Sequence, residues 1–383
     1  MTTRRRFLAA AAAGGAALAA APLLASAQTQ VGDVMRTQGR TGARPLPTNA
    51  GRDFRRFVPV TRIGQGGAPA GNNWRANTDA EIRDMLQAAW DGGMRTFDTS
   101  PWYGLGLSER RFGQFLHDKP RDEYVLATKV GRLLTATTEP PETNWKDASP
   151  FDYRYDYSAA GVRRSVEDSL QRLGISRIDI VLVHDLSPDN RDMGERWTEH
   201  FAEAERGAFP ELTRMREEGL IRAWGMGVNT PEPALRCTEV ADPDIHLLAC
   251  QYALLDHERA LRETFPALQE RGVSVLLGSP LLAGFLAGRD RYLYGAQPVP
   301  PDAEEKRARA EAVVARHGVD LRTVSLQFAA APDVVSAIVP GARNAAQAAA
   351  NAESMRVAIP DAVWEELRAE GMISADAPVP RAA

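Results

Sequence analysis

Hydrophobic and polar positions alternate along the chain in two ways, one typical of short buried strands and one typical of amphipathic helices. From about Phe57 onward, each short apolar run is followed by a stretch with helical spacing. Strands are predicted at residues 60–66, 94–97, 124–130, 177–183, 221–228, 245–250, 273–278 and 334–339. Eight strands separated mostly by helices predict an α/β fold, a (β/α)8 barrel of the TIM type, in which loops after the strands build the functional face.

Helices are predicted between these strands, and the first has a clear start signal. Thr78 stands at its N-cap and Glu81 follows three residues later, which is the spacing of a capping box. The helical stretches are residues 78–90, 108–117, 158–173, 199–218, 233–240, 255–271, 303–317, 321–331, a helix from near 343, and 361–370. Two long stretches, 131–157 and 280–301, interrupt the repeat and are predicted to be substrate loops.

Polar side chains stand at the ends of several predicted strands, where a barrel places its functional groups. Any single one has an ordinary explanation, such as a helix cap, a solvated lysine or a hydrogen-bonded core histidine. The residues in question are Asp98, Lys129, His184, Asn229, Gln251 and Ser279. Their recurrence at the end of one strand after another favours a functional site.

Asp98, Lys129 and His184 make chemical sense together with Tyr103, which lies in the turn after Asp98. A phenol has a pKa of about 10, and an adjacent ammonium favours its ionised form. A carboxylate can keep that ammonium charged and oriented, while an imidazole can hydrogen-bond the reacting oxygen. The group can therefore move a proton at a carbonyl or alcohol oxygen. The hydride must come from a nicotinamide, because no side chain delivers one.

The sequence lacks the motifs of competing chemistries. Its histidines show no HxxxH or HxH spacing, CxxC and GxSxG are missing, and no GxGxxG follows the first strand. No metal is predicted, and a dinucleotide must be held in another way. After the last strand, Gly341 and Arg343 open a helix on which Gln347 and Asn351 follow at four-residue spacing, and together they form a candidate anion site. The alternative is an exposed polar stripe on an Ala-rich helix.

The segments FDTSPWYG, LATKVG and VLVHD resemble the aldo-keto reductase superfamily, over residues 57–373. The family's catalytic tetrad of Asp, Tyr, Lys and His corresponds here to Asp98, Tyr103, Lys129 and His184. The resemblance implies a (β/α)8 barrel that binds an extended NADP(H) without a Rossmann domain. The implied cofactor contacts are Asn229 and Gln251 on the carboxamide, Ser279 and Leu281 along the pyrophosphate, and Arg343, Gln347 and Asn351 near the 2′-phosphate and adenine.

Within the superfamily, SERRFGQFL and IVPGARNAAQAAAN look most like the D-threo-aldose 1-dehydrogenase and pyridoxal 4-dehydrogenase group. This implies an NADP-dependent oxidoreductase acting on an aldehyde, ketone or cyclic hemiacetal, with NAD as the alternative cofactor. A redox sensor or partner protein on the same barrel is the alternative function. Val228 and Gly278 depart from the family pattern, which often has Ser and an aromatic residue there. Trp102 is a candidate wall of the substrate pocket.

The first residues have the order of an export signal. Arg4, Arg5 and Arg6 precede an Ala-rich apolar run, and a small-x-small cleavage pattern ends at Ala27. We therefore expect a twin-arginine signal peptide at residues 1–27, the twin-arginine machinery as a partner and a periplasmic location. The apolar run is short for a permanent membrane anchor. The rest is divided into a linker (28–56), the barrel (57–373) and a C-terminal tail (374–383).

Charge and cysteine content add two expectations. Removal of the signal changes the formal net charge from −4 to −7, because three arginines and no acidic residues are lost. That balance argues against a nucleic-acid partner, which needs a basic surface. Cys237 and Cys250 are the only cysteines, and two buried thiols are favoured over a disulfide. Since free NADP(H) is scarce outside the cytoplasm, we hypothesise that an exported protein carries its cofactor bound.

Overall fold

The barrel begins with a strand of two residues and is closed by the last strand of the sheet. The structure is a computed structural model that describes residues 44–293 and 299–380, so the predicted signal peptide lies outside the described residues. The strands are β1 (Gln65–Gly66), β2 (Thr96–Asp98), β3 (Val125–Val130), β4 (Arg132–Ala136), β5 (Phe151–Tyr155), β6 (Ile180–His184), β7 (Ala223–Val228), β8 (Ile245–Ala249), β9 (Ser274–Gly278) and β10 (Val335–Val339).

Eight of these strands form one parallel sheet in the order β1-β2-β3-β6-β7-β8-β9-β10. Parallel bridges from Ile63 to Ile338 and from Gly66 to Gly341 join its first and last strands. The amide of Gly64 donates to the Ile338 carbonyl at 2.9 Å and extends this closure. The predicted (β/α)8 barrel is therefore confirmed.

Helices follow most of the barrel strands and cover the outside of the sheet. They are α1 (Asp79–Asp91), α2 (Leu107–Leu116), α3 (Ala159–Leu173), α4 (Trp197–Arg206), α5 (Ala208–Glu217), α6 (Pro231–Val240), α7 (Phe265–Glu270), α8 (Ala303–Arg316), α9 (Leu321–Ala330), α10 (Ala345–Ser354) and α11 (Asp361–Ala369). The capping box of α1 is present, because Glu81 N donates to Thr78 Oγ1 at 3.1 Å and Thr78 N donates to Glu81 Oε2 at 2.8 Å. No helix in the described part of the chain is long and apolar enough to cross a bilayer.

Strand parity separates two layers of the core. On β6, Ile180 and Leu182 belong to the cluster inside the barrel, whereas Val181 and Val183 pack against the surrounding helices. Successive side chains of a strand point to opposite faces, so His184 has the parity of the inward residues. The pleat therefore aims this histidine at the carboxyl-terminal opening of the barrel.

Several predicted segments differ from the structure, including the first strand, which is predicted at residues 60–66 and observed as β1 over Gln65–Gly66 alone. Residues 131–157, predicted to be a loop, contain an antiparallel hairpin of β4 and β5 in which Arg132 pairs with Tyr155. The helix predicted at 199–218 is divided at Gly207 into α4 and α5. A Cβ at Gly207 would lie 2.8 Å from the Tyr157 carbonyl oxygen, so this close backbone approach interrupts the helix.

The ends of the described chain are attached to the barrel. In the described part of the predicted linker, Leu46 is buried and the Asn49 amide donates to the Ser336 carbonyl at 2.8 Å. In the predicted tail, Ala377 is buried and its carbonyl accepts a hydrogen bond from Arg368 at 3.0 Å. Both segments therefore pack on the fold where the structure describes them.

Candidate active site

A buried ion pair lies inside the barrel at the ends of β2 and β3. On β3, Val125 and Ala127 face the interior, and Lys129 has the same parity. Its Nζ donates to both carboxylate oxygens of Asp98, at 2.7 and 2.9 Å, and to the Thr99 carbonyl at 2.9 Å. The three donors of the ammonium are thus fixed in one geometry.

The surroundings of this pair leave little access to water. Lys129 is 1% exposed and Asp98 is 3% exposed. Burial raises the pKa of the Asp98 carboxyl, and the charge and hydrogen bonds of Lys129 oppose that shift. On β7, a Cβ at Gly227 would already touch Cδ and Cε of Lys129 at 3.5 Å. A larger side chain at this position would displace Lys129, so Gly227 leaves open the channel that holds the methylene groups of the lysine.

Tyr103 lies directly above the ammonium. Nζ of Lys129 is 4.5 Å from the centroid of the Tyr103 ring, and the centroid of the His184 ring is 5.7 Å from it. The loop after β1 supports the tyrosine backbone, because a Cβ at Gly71 would lie 2.4 Å from the Tyr103 carbonyl carbon. The four residues of the predicted tetrad are therefore brought together.

Ser100 orients the histidine, a role that the sequence analysis did not identify. Its Oγ accepts from the Trp102 amide at 3.1 Å and lies 3.0 Å from Nδ1 of His184. Burial, followed by the charges of Lys129 and Arg132, lowers the pKa of His184 well below its usual value, so the ring is neutral. In the tautomer in which the Ser100 hydroxyl donates to Nδ1, the single ring proton resides on Nε2. Nε2 is then a hydrogen-bond donor.

An arginine and an aspartate adjoin the tetrad and were also missed. Asp185 follows His184 directly, and its Oδ1 lies 3.4 Å from Nε2 of His184. Its Oδ2 accepts from Nη1 of Arg132 at 2.9 Å. Arg132 is the second residue of the long predicted loop, 131–157, and is 4% exposed. The motif VLVHD contains the aspartate, but nothing local in the sequence links it to Arg132.

Aromatic side chains form a wall beside Tyr103. Trp102 packs edge-on against Trp145 at 5.9 Å and against Tyr153 at 4.8 Å between ring centroids. Trp145 also lies 5.6 Å from the Tyr103 ring, and its buried indole nitrogen has no hydrogen-bond partner. Trp102 therefore forms one aromatic wall with Trp145 and Tyr153 of the long loop, and its role in a substrate pocket stays a prediction.

The predicted cofactor residues occupy the other half of the rim. Asn229, Gln251 and Ser279 follow β7, β8 and β9, which are neighbours in the sheet, and Gly341 follows β10. Asn229 Nδ2 donates to Asp189 Oδ2 at 2.9 Å, and the Ser279 hydroxyl accepts from the Ala283 amide at 3.1 Å. Leu281 directly precedes the short 3-10 helix Leu282–Ala287.

Gln251 gives a direct test of whether a nicotinamide fits this rim. Both its amide nitrogen and its amide oxygen are buried without a hydrogen-bond partner. Buried amides are normally satisfied, so this side chain lacks a ligand that offers both a donor and an acceptor. The carboxamide of a nicotinamide offers both. The residues present therefore fit the cofactor.

The start of α10 carries the predicted phosphate-binding residues. The Arg343 amide donates to Gln347 Oε1 at 3.0 Å, and Nη2 of Arg343 donates to the Asn73 carbonyl at 3.2 Å. Asn351, two turns along the helix from Arg343, is buried, so it is less accessible than Arg343 or Gln347. Arg343 and Gln347 thus lie together at the rim.

Several further cations surround Arg343. The guanidinium of Arg291 stacks on Trp74 at 4.1 Å, and that of Arg343 lies 5.2 Å from the same ring. Burial and the charges of Arg291, Arg75 and Arg289 lower the pKa of Arg343 to about 10. Within the described ranges, no carboxylate pairs with Arg343, Arg291 or Arg289. Such a cluster is typical of an anion site.

Comparisons with known proteins indicate the family to which the chain belongs. Residues 62–370 match the model of the aldo/keto reductase family. The chain is 36% identical to a D-threo-aldose 1-dehydrogenase from Pseudomonas over 81% of this chain and 94% of the relative. It is 34% identical to a pyridoxal 4-dehydrogenase from Microbacterium luteolum over 83% of this chain and 96% of the relative.

A solved structure shows the same fold. A glycerol dehydrogenase from Gluconobacter oxydans superimposes with a TM-score of 0.64 at 23% identity, over 86% of this chain and 98% of that one. The family model covers most of the chain, and the two dehydrogenases match it over nearly their full length. The chain therefore belongs to the aldo/keto reductase family and is an NAD(P)-dependent oxidoreductase.

Proposed function

We propose that this enzyme is an NADP-dependent dehydrogenase that transfers hydride between the nicotinamide and an aldehyde, ketone or cyclic hemiacetal. The observation that carries the proposal is the Lys129–Asp98 pair directly beneath the Tyr103 ring, with neutral His184 beside it. The nicotinamide would supply or accept the hydride. Sequence similarity to dehydrogenases named for aldoses and pyridoxal supports the substrate class.

The four side chains have separable roles at the reacting oxygen. Tyr103 gives or takes the proton, and the Lys129 ammonium, 4.5 Å from the centroid of its ring, can stabilise the negative charge that develops on the phenol oxygen. Asp98 holds that ammonium in place. His184 donates from Nε2 to the same oxygen and sets its direction, since Ser100 occupies Nδ1.

The preference for NADP is supported by the arginines around the start of α10. NADP differs from NAD by one phosphate, and a guanidinium pairs with a phosphate through two hydrogen bonds. Arg343 is held in position by Gln347 and Asn73, and it lies among like charges that an added phosphate would compensate. A phosphate at this point removes an electrostatic repulsion that NAD would leave in place.

The test is a steady-state assay with a panel of aldoses, pyridoxal and simple aldehydes, in both directions, with NADP(H) and NAD(H). We expect turnover with at least one substrate and a higher kcat/KM with NADP(H). Tyr103→Phe should retain cofactor binding by fluorescence titration and lose most turnover, about 100-fold or more. Normal turnover in that variant, or no turnover on the whole panel, would overturn the proposal.

We also propose that the enzyme is exported by the twin-arginine route with its cofactor bound. The order of arginines, apolar run and cleavage pattern in residues 1–27 supports this. The experiment compares the native chain with an Arg5→Lys, Arg6→Lys variant, followed by fractionation and amino-terminal sequencing. Loss of the mature exported form in the variant is expected. Equal export of both, or an exported protein without nucleotide, would contradict it.

A further inference from the structure

Asp185 has an unusual placement for a residue at the mouth of the barrel. Its backbone has a φ of 46°, in the left-handed region that non-glycine residues rarely adopt. This turn places its carboxylate beside His184, with Oδ1 3.4 Å from Nε2. The Asp185 side chain is 22% exposed, so a ligand can reach its carboxylate.

Arg132 fixes the carboxylate and is itself tightly held. Its guanidinium lies 4.5 Å from the Trp102 ring and 4.9 Å from the Tyr155 ring. Burial acts to lower the pKa of Arg132, but Asp185 together with Tyr155 and Tyr157 outweighs burial, so the pKa is raised. The Arg132 contact occupies Oδ2 of Asp185, which leaves Oδ1 as the oxygen nearest to the catalytic histidine.

The side chains around Oδ1 of Asp185 determine which chemical group a ligand must present there. A carboxylate only accepts hydrogen bonds, and in the proposed reaction the His184 Nε2–H donates to the reacting oxygen and not to Oδ1. The group that would satisfy Oδ1 is therefore a donor located next to the reacting carbon. A hydroxyl on the adjacent carbon fits this position, whereas a methylene would leave the charged oxygen desolvated and without a partner.

From this placement we propose that Asp185 accepts a hydrogen bond from the hydroxyl on the carbon adjacent to the reacting carbon. The substrates would then be 2-hydroxy carbonyl compounds or their cyclic hemiacetals. The aromatic wall of Trp102, Trp145 and Tyr153 would cover the ring or chain beyond that hydroxyl. This inference rests on the proposed hydride transfer and narrows its substrate class.

The test compares glyceraldehyde with 3-hydroxypropanal, which differ only in the 2-hydroxyl. For the native enzyme we expect kcat/KM for glyceraldehyde to be about 10-fold higher or more, the value of one charge-assisted hydrogen bond. In Asp185→Asn, the amide oxygen is expected to keep Arg132 and the amide N–H groups to face the hydroxyl. A neutral N–H···O hydrogen bond to the hydroxyl then replaces the charge-assisted one, so the ratio should fall about fivefold.

The quantity compared is the ratio of kcat/KM for glyceraldehyde to that for 3-hydroxypropanal, because a loss of activity that affects both aldehydes equally leaves this ratio unchanged. Asp192→Asn is the matched control, since that carboxylate accepts from the hydroxyls of Tyr153 and Tyr155 at 2.8 and 2.9 Å on the same wall. Its ratio should stay at the native value. If Asp185→Asn does not fold, the double variant Arg132→Met, Asp185→Asn removes both charges together and is measured in its place.

Each outcome has a distinct meaning. A native enzyme that does not discriminate between the two aldehydes overturns this inference and leaves the proposed function standing. An equal fall in both rates with an unchanged ratio shows that Asp185 only positions His184 or neutralises Arg132, and also overturns it. Absence of turnover with both aldehydes and with the whole panel overturns the inference together with the proposed function.

Discussion

Replacing Lys129 by Met removes the only cation that contacts the buried Asp98 carboxylate in the described structure. Met has nearly the same length and shape, so the channel beside Gly227 stays filled. The change removes three hydrogen bonds, two to Asp98 and one to the Thr99 carbonyl. It therefore isolates the charge of the lysine from its packing.

The magnitude follows from the burial of the partner left behind. Asp98 is 3% exposed, so water cannot replace the ammonium without rearrangement. Breaking a buried pair by removing one member typically costs about 3–5 kcal/mol. We expect the free energy of unfolding to fall by about that amount at pH 8. The double variant Asp98→Asn, Lys129→Met leaves no buried charge and should regain more than half of the loss.

The pH dependence gives an independent check. Burial already raises the pKa of Asp98, and without the opposing lysine it rises further. A carboxyl with a raised pKa in the folded state stabilises at low pH, and that contribution is lost as pH rises through the pKa. The deficit of Lys129→Met relative to the native protein should therefore shrink as pH falls from 8 to 5, by up to about 1.4 kcal/mol per unit.

The assay is urea unfolding of the three proteins at pH 8, 6.5 and 5, followed by tryptophan fluorescence and circular dichroism. A deficit that does not change with pH would mean that Asp98 stays charged without its partner. A double variant no more stable than Lys129→Met would mean that the loss comes from packing. Either result would refute the reasoning that an unpaired buried charge dominates.

Three further results are expected. Ser100→Ala should lower kcat about 10-fold and change KM by no more than about twofold, because His184 Nδ1 loses the hydroxyl that biases its tautomer. Ser100→Thr keeps a hydroxyl and should retain activity, and an unchanged kcat in Ser100→Ala would contradict the prediction. Arg343→Met should weaken NADP binding about 10-fold in a fluorescence titration and leave NAD binding unchanged, while equal losses for both would argue against a phosphate contact. Stability should fall as pH decreases below about 6.5, because burial lowers the pKa of His184 and lowers the pKa of His246 to about 3, so the unfolded chain binds protons that the folded protein does not. The expected slope is about 1.4 kcal/mol per pH unit for each histidine. A urea-unfolding free energy that stays constant from pH 7 to 5 would contradict this prediction.

Periodicity was sufficient to predict the barrel because each strand carries its own signal. The runs before Lys129 and His184 are apolar and end in a polar residue, and the structure places these residues at the carboxyl ends of β3 and β6. The capping box of Thr78 and Glu81 is equally local and was predicted correctly. Information of this kind is contained in a few consecutive residues, so the sequence displays it directly.

The segments that were missed depend on distant partners. The hairpin of β4 and β5 joins Arg132 to Tyr155 across a long connection, and polar loop residues obscure the alternation of FDYRY. Gly207 interrupts a helix only because the Tyr157 backbone approaches it. The ion pair of Arg132 with Asp185 likewise forms only after the hairpin folds over the barrel. No window of sequence contains both members of these contacts.

Strand parity explains why the tetrad was easier to predict than the substrate contacts. Lys129 enters the barrel because it lies two residues after Ala127, which also faces the interior. A shift of register by one residue would turn the lysine outward against the helices and bring an apolar side chain to Tyr103. The barrel therefore fixes the hydrogen-transfer groups through the pleat of the strands. The hairpin and Asp185 lie at the rim, where substitutions can alter substrate contacts without changing the register of the barrel strands.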